Sequence, residues 1–452
     1  MSLSLGWFAP LLVAPLAPYS GRASDAAVAA PLVAPAAASP AASPATSPAG
    51  IGGAPRWGTA AEPAPRLAIV VSKVMTVAEN DAVVDNAVIL VKDGRIEKVG
   101  RQSEVAIPEG YQVVDGKGLW AVPGFVDCHD HVGGGLSDLN DGVYLSNPGL
   151  DSLHTIDPEN ENVRNALAGG VTTVLVIPGS GNNMSGFGTI IKTWGRSIDD
   201  VVVRSPGSLK IAQSGNPERY WYGIGRSFMN WNTRDTLLRA KKYHSAWKAF
   251  EEGRGAKPEY SPYFHGFRGL IDKKFPVTVH TQIYQVVAET IQMLHDELGL
   301  WTVLDHSEFD ACELGAETAK RDMFVIVGPR SIHYDRRDRR IAGLCAEWLR
   351  TGNGTQKLGV NTDAPVLPQE NLPLQATYAV RFGLPRERGL PALSRVPAQA
   401  LGIFDRVGSL EAGKDADIAL WTGDPIDPAS SCLLTVVNGR IAYDSKTMGR
   451  RY

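Results

Sequence analysis

From Leu67 onwards the apolar and polar positions fall into short runs of two kinds. At the front, residues 67–77, 86–92 and 95–99 are β-rich. Asp93-Gly94 between the last two reads as a two-residue hairpin turn, because both residues tolerate the left-handed backbone such a turn needs. The same texture returns at 416–421 and 433–437, where Asn438-Gly439 turns the chain into 440–443. Between these ends, apolar runs at 125–131, 171–177, 208–212, 277–280, 302–306, 324–327 and 358–363 alternate with helical stretches, and 189–192 supplies an eighth run. Such alternation predicts parallel strands joined by crossover helices, and eight strands close a barrel. The chain is therefore read as α/β. A (β/α)8 TIM-type barrel covers residues 121–404, and a small composite β-sandwich is built from both termini, 67–120 plus 405–447.

Residues 1–66 break this pattern. Residues 1–19 are apolar and uncharged, and the stretch from Ala23 to Pro65 is almost wholly Ala, Pro, Ser, Thr, Val and Gly. That composition lacks the side chains that offset backbone entropy, about 1–2 kcal/mol per residue, so it reads as a disordered linker. With the small residues Ala27-Val28-Ala29 as a cleavage site, the segment reads as an export signal and implies a periplasmic protein. Against this, no Lys or Arg precedes the apolar stretch and Pro10, Pro15 and Pro18 interrupt it, so a cytoplasmic protein with a low-complexity leader is the alternative. No other stretch approaches the roughly 20 apolar residues of a membrane span, and stable membrane insertion is not expected.

Composition narrows the class further. The 452 residues are 44% hydrophobic and 21% charged with a net charge of −3, which suits a globular enzyme and excludes disorder throughout. There is no basic excess to hold a phosphate backbone, so nucleic acid is not an expected partner. Homo-oligomerisation is left open. The cysteines, Cys128, Cys312, Cys345 and Cys432, lie far apart and suggest neither a disulfide framework nor a thiolate metal site.

The chemistry lies at the ends of the barrel runs. His129 and His131, at i and i+2, share one face of a strand, as chelation of a single ion requires. His280, His306 and Asp363 each close a later β run. In a parallel barrel those ends converge on one mouth. Taken singly, each histidine is more simply a hydrogen-bonded polar residue; their order on alternating β/α units is what argues for a shared ion. His154, His244, His265, His295 and His333 lack a preceding apolar run and are set aside.

The pattern resembles the amidohydrolase superfamily of metal-dependent hydrolases. The resemblance is carried by Val122-Pro123-Gly124-Phe125-Val126-Asp127 leading into His129-Asp130-His131, by Ala168-Gly169-Gly170-Val171-Thr172-Thr173-Val174, by the two later histidines, and by Asn361-Thr362-Asp363. It continues in Gly413-Lys414-Asp415-Ala416-Asp417-Ile418 and Val437-Asn438-Gly439, covers 67 to about 444, and is nearest to imidazolonepropionase-like members. It implies a divalent metal, zinc before manganese, iron or cobalt. In binuclear members a carboxylated lysine ends the fourth strand. Lys210 fits that place if 189–192 is the third strand, with Lys192 as the competitor. With Lys210 bridging, His129, His131 and Asp363 would hold one ion and His280 and His306 the other. Without it, His129, His131, His280 and Asp363 would hold one, with His306 as electrophile or proton donor.

The implied reaction is hydrolysis of a C–N bond in a small molecule, an amide, cyclic amide or dipeptide-like compound. The ion lowers the pKa of its water from about 16 towards 7. Asp363 acts as the base that takes a proton and returns it to the leaving nitrogen. The alternatives are a mononuclear zinc aminohydrolase and an exported metal-binding relic without turnover; the complete ligand set argues against the latter. The glycine-rich stretch 179–186 is expected as a loop at the mouth. Arg219 for a substrate carboxylate, Tyr220 or Tyr222 for a ring, and Gln282 on the face of His280 are the substrate-binding candidates.

Overall fold

The computed structural model describes residues 64–213, 217–218, 224–336 and 338–449. Residues 1–63 of the expected leader, and Arg219, Tyr220 and Tyr222, lie outside the described residues. The described chain opens with β1 (Leu67–Met75), β2 (Val83–Lys92), β3 (Arg95–Arg101) and β4 (Gln112–Pro123). Next come β5 (Phe125–Asp130), β6 (Val171–Val176), β7 (Met184–Lys192) and β8 (Val202–Ala212). They are followed by β9 (Val277–Thr281), β10 (Thr302–His306) and β11 (Phe324–Val327). A hairpin of β12 (Ile332–Asp335) and β13 (Arg340–Gly343) precedes β14 (Lys357–Val360). The last three strands are β15 (Ile418–Trp421), β16 (Cys432–Val437) and β17 (Arg440–Asp444).

Strands from both ends of the chain form one seven-stranded sheet in the order β17-β16-β15-β4-β1-β2-β3. Its seam is the antiparallel pairing of β4 with β15, Ala121 opposite Leu420. The chain leaves β4 at Pro123 and enters β5 after one residue, so the sheet and the barrel are joined without a linker.

The barrel strands lie in the order β14-β11-β10-β9-β8-β7-β6-β5. A parallel bridge between Asp130 and Ala364, with His131 N donating to Ala364 O at 2.9 Å, brings the two edges together and makes the ring nearly closed. β5, β6, β9 and β10 are buried at every position, which is why they read as continuous apolar runs rather than alternating ones. On the outside, the helices Tyr284–Thr290, Leu344–Thr351 and Leu372–Arg381 contribute Val287, Trp348, Leu372 and Ala376 to one large apolar cluster. That cluster includes Phe125, Val171, Leu304 and Val325 from the strands.

The eight runs were expected to be all parallel, and one is not. β7 is antiparallel to both β6 and β8. Residues 177–183 are the whole connection from β6 to β7, and a parallel return needs about a dozen residues or more. The short link therefore sends β7 back from the mouth towards the opposite end of the barrel. Its last residue, Lys192, ends opposite Thr173 near the start of β6.

Candidate metal centre

His129 and His131 project from the end of β5, His280 from β9, His306 from β10, Lys210 from β8 and Asp363 from the turn after β14. His129 Nε2 is 2.9 Å from Lys210 Nζ and 3.4 Å from Asp363 Oδ1, and His131 Nε2 is 3.2 Å from the same Oδ1. Ligating atoms of His129, His131 and Asp363 all lie within 4.8 Å of one another. Two ligands each about 2.1 Å from a tetrahedral ion are about 3.4 Å apart, so these separations suit one cation. The rings of His306 lie 4.5 Å from His129 and 4.3 Å from His280, centroid to centroid.

Three of the four imidazoles are hydrogen-bonded at Nδ1. His131 Nδ1 donates to Ile177 O at 2.7 Å and His306 Nδ1 to Gly328 O at 2.6 Å. His129 Nδ1 is 3.1 Å from Asp305 Oδ2, without the alignment of a hydrogen bond. His280 Nδ1 meets Ser180 Oγ at 2.9 Å. This leaves Nε2 of His280 and of His306 buried with no hydrogen-bond partner. Buried polar atoms are ordinarily satisfied, and these two orphaned Nε2 atoms in one cluster fit a bound divalent cation.

Electrostatics point the same way. Burial, with Lys210 and the other imidazoles adding to it, holds His129 well below the usual histidine range. Burial does the same for His280 and brings His306 down to about 4. Neutral imidazoles are what coordination requires. Burial also lowers Lys210 to about 8, against the pull of Asp305 and Asp363. For Asp363 burial acts upwards, but the hydrogen bond with His131 and the charges of His306, His131 and Lys210 outweigh it and hold its carboxyl below the usual range.

Backbone geometry explains how neighbouring residues share the site. In a regular strand Asp305 and His306 would face opposite sides. His306 instead has φ 62° and Ser307 φ 49°, and this left-handed exit from β10 lets both side chains reach His129. Asp363 has φ 50°. The turn that carries it is held by Asp127, whose Oδ2 accepts from Thr362 N at 3.2 Å, Thr362 Oγ1 at 2.6 Å and Gln369 Nε2 at 2.8 Å. Its Oδ1 accepts from His129 N at 3.1 Å. One buried carboxylate thus fastens the strand of His129 to the turn of Asp363.

Lys192 lies elsewhere. It is buried against the seven-stranded sheet, with Nζ 2.5 Å from Asp417 Oδ2 and 3.1 Å from Asp415 Oδ2. Gln282 falls past the end of β9, half-buried and away from the walls of the cavity over the site. That cavity, ≈ 460 Å³, is walled by His131, His280 and Asp363 together with residues 178–182 and Asn140. Its loop is pinned by Gly179 N donating to Asn140 Oδ1 at 2.7 Å. Sequence reasoning missed Asp127, Asp305 and Ser180. Asp127 and Ser180 fall within motifs that assign them no role, and Asp305 falls where strand alternation turns a side chain away.

The comparisons with known proteins agree with this geometry. A family model described as "Amidohydrolase family" matches residues 371–443. The chain is 26% identical over 375 residues to an imidazolonepropionase of Brucella anthropi, covering 76% of this chain and 89% of that protein. It is 24% identical over 401 residues to the amidohydrolase tasK of Hapsidospora irregularis, covering 79% of this chain but 40% of that protein's length. Among solved structures, an amidohydrolase from Thermotoga maritima aligns with a TM-score of 0.75 and 27% identity, over 84% of this chain and all of that one. Molinate hydrolase, at 17% identity and a TM-score of 0.52, shares the fold. A near-closed barrel with its histidines, lysine and aspartate at one mouth, and relatives that match most of the chain, together support the amidohydrolase superfamily of metal-dependent hydrolases.

Proposed function

We propose that the protein hydrolyses the C–N bond of an amide in a small molecule, and that the bond lies in a cyclic amide, an N-acyl amino acid or a dipeptide-like compound. The observation that carries this reading is the set of four imidazoles, three of them hydrogen-bonded at Nδ1, gathered with Asp363 and Lys210 beneath a cavity of ≈ 460 Å³. That volume suits a small molecule. The imidazolonepropionase relatives favour a cyclic amide within the class.

His129, His131 and Asp363 would hold one ion and His280 and His306 a second, with Lys210 carboxylated between them. Carbamate formation needs a neutral amine, and Lys210, at about 8, supplies a fraction of one near neutral pH. Imidazole and oxygen donors without thiolate suit zinc. When bound, such ions activate water near neutral pH and polarise the carbonyl under attack. Asp363, ionised and open to the cavity, takes the proton from the attacking water and returns it to the leaving nitrogen, which is a poor leaving group until protonated. The seven-stranded sheet acts as a composite satellite of the barrel, and the segment ahead of it directs export.

A panel of cyclic amides, N-acyl amino acids and dipeptides, run with metal analysis, tests the reading. Two ions per chain are expected, and Asp363→Asn should lower kcat by about 10²- to 10⁴-fold. One ion per chain would remove the lysine bridge and favour the aminohydrolase alternative. Turnover of no member by the metal-replete wild type would sink the proposal.

A further inference from the structure

We propose that Ser180 is the positioning residue that sets the tautomer of His280, so that the wall of the cavity is bonded directly to a metal-binding imidazole. The inference rests on the metal-hydrolase reading above. His131 and His306 face backbone carbonyls, which only accept, so each carries its proton on Nδ1 and turns an Nε2 lone pair to the site. His129 Nδ1 lies 3.1 Å from Asp305 Oδ2 without hydrogen-bond alignment. His280 differs, because its Nδ1 partner is a hydroxyl, 2.9 Å away, that can donate or accept.

The two arrangements have opposite consequences. If Ser180 donated to Nδ1, the neutral ring would carry its proton on Nε2 and could not coordinate. If Ser180 accepts from Nδ1–H, the buried and unpartnered Nε2 is free for the ion. Ser180 is then left with its own hydrogen to place. Its Oγ has no other hydrogen-bond partner among the described residues, and the residue lines the cavity, so that hydrogen is available to an oxygen of whatever the cavity binds. The loop cannot easily relax this contact, since Gly179 is fastened at its N–H by Asn140 and at its carbonyl by Ser185 Oγ, 2.7 Å each.

The test is Co²⁺ affinity of the full chain, by chelator competition, together with the visible spectrum of the bound Co²⁺. Ser180→Ala should weaken binding about 10- to 100-fold and alter the spectrum, and Ser180→Thr, which keeps the hydroxyl, should restore both. Ser152→Ala serves as the control: it removes a buried hydroxyl that donates to Val176 O at 2.9 Å beside the same loop without touching His280, and should bind Co²⁺ as the wild type does. Equal affinity of Ser180→Ala and wild type overturns the inference. So does an equal loss in Ser152→Ala, which would trace the effect to general loosening of the loop. Should Ser180→Ala fail to fold, Ser180→Gly removes the same hydroxyl without adding a metal ligand and carries the same prediction. A wild type that takes up no Co²⁺ overturns the metal-hydrolase reading itself, whereas uptake by wild type and Ser180→Ala alike overturns this inference alone.

Discussion

His306 shows how much of the site's character comes from burial rather than from its neighbours' identity. Its ring stays neutral well below pH 6.5 because burial brings it down to about 4, from an ordinary 6.5. A histidine depressed on folding contributes stability that is whole above pH 6.5 and is lost as pH falls through the window from 6.5 to 4, because the unfolded chain takes up the proton first. For metal-free protein the contribution amounts to about 3 kcal/mol between pH 7 and pH 4. His306→Gln removes the titration, so urea unfolding of wild type and variant at both pH values should show the wild type losing that much more; parallel pH profiles would refute it. Much of the residue-level chemistry was legible in the chain, because His129, His131, His280, His306 and Asp363 all end apolar runs. Asp305 was not legible. Its approach to His129 depends on the left-handed backbone of His306 and Ser307 at the end of β10, and although histidine takes a positive φ more readily than most residues, nothing in the run marks this histidine as the one that does. Nor is Ser180 legible, since nothing in a glycine-rich stretch says which hydroxyl meets a histidine one hundred residues away.

The two lysines separate at the scale of the element. Counting apolar runs located all eight barrel strands but could not give their direction, because a strand buried on both faces has the same composition whichever way it runs. Direction is what decides between Lys210 and Lys192. β8 runs towards the mouth and delivers Lys210 to His129, while β7 runs away and delivers Lys192 to Asp415 and Asp417. The Gly413-Lys414-Asp415-Ala416-Asp417 segment therefore has a structural reason: it supplies carboxylates to a buried lysine at the joint, with Asp415 also 2.9 Å from Arg406 and Asp417 Oδ1 accepting from Asn438 N at 2.9 Å. Removing one partner of a buried pair strands the other charge, at a cost of about 3–5 kcal/mol. Lys192→Met should lower the unfolding free energy by that order and leave metal uptake per folded chain unchanged. Lys210→Met should do the reverse, keeping most of the stability and losing bound metal. Chemical denaturation beside metal analysis of both variants checks the pair, and loss of metal from Lys192→Met with retention in Lys210→Met would invert the assignment.

At the scale of the whole molecule the question is whether sheet and barrel unfold as one body, and the cysteines can answer it. Cys128 lies on β5, Cys312 and Cys345 lie among the barrel's helices, and Cys432 lies on β16 of the seven-stranded sheet. All are free and buried. Burial pushes Cys312, Cys345 and Cys432 up to about 12 and Cys128 well above its ordinary value, so none offers a thiolate at pH 8 while folded. The core is continuous across the joint: one cluster holds Phe125, Val171, Cys345 and Trp348 of the barrel with Ala419, Trp421 and Cys432 of the sheet. The Lys192 ion cluster lies across the same boundary, and Gly124 N donates to Asp417 O at 2.9 Å there. A core shared in this way has no surface along which the sheet could open without exposing barrel residues. Thiol labelling at pH 8 over a series of urea concentrations, read residue by residue by mass spectrometry, should find all four cysteines unreactive in native buffer and gaining reactivity at one common midpoint. Modification of Cys432 at a lower urea concentration than Cys128 and Cys345 would show instead that the sheet opens first, and that the mouth of the barrel can persist without it.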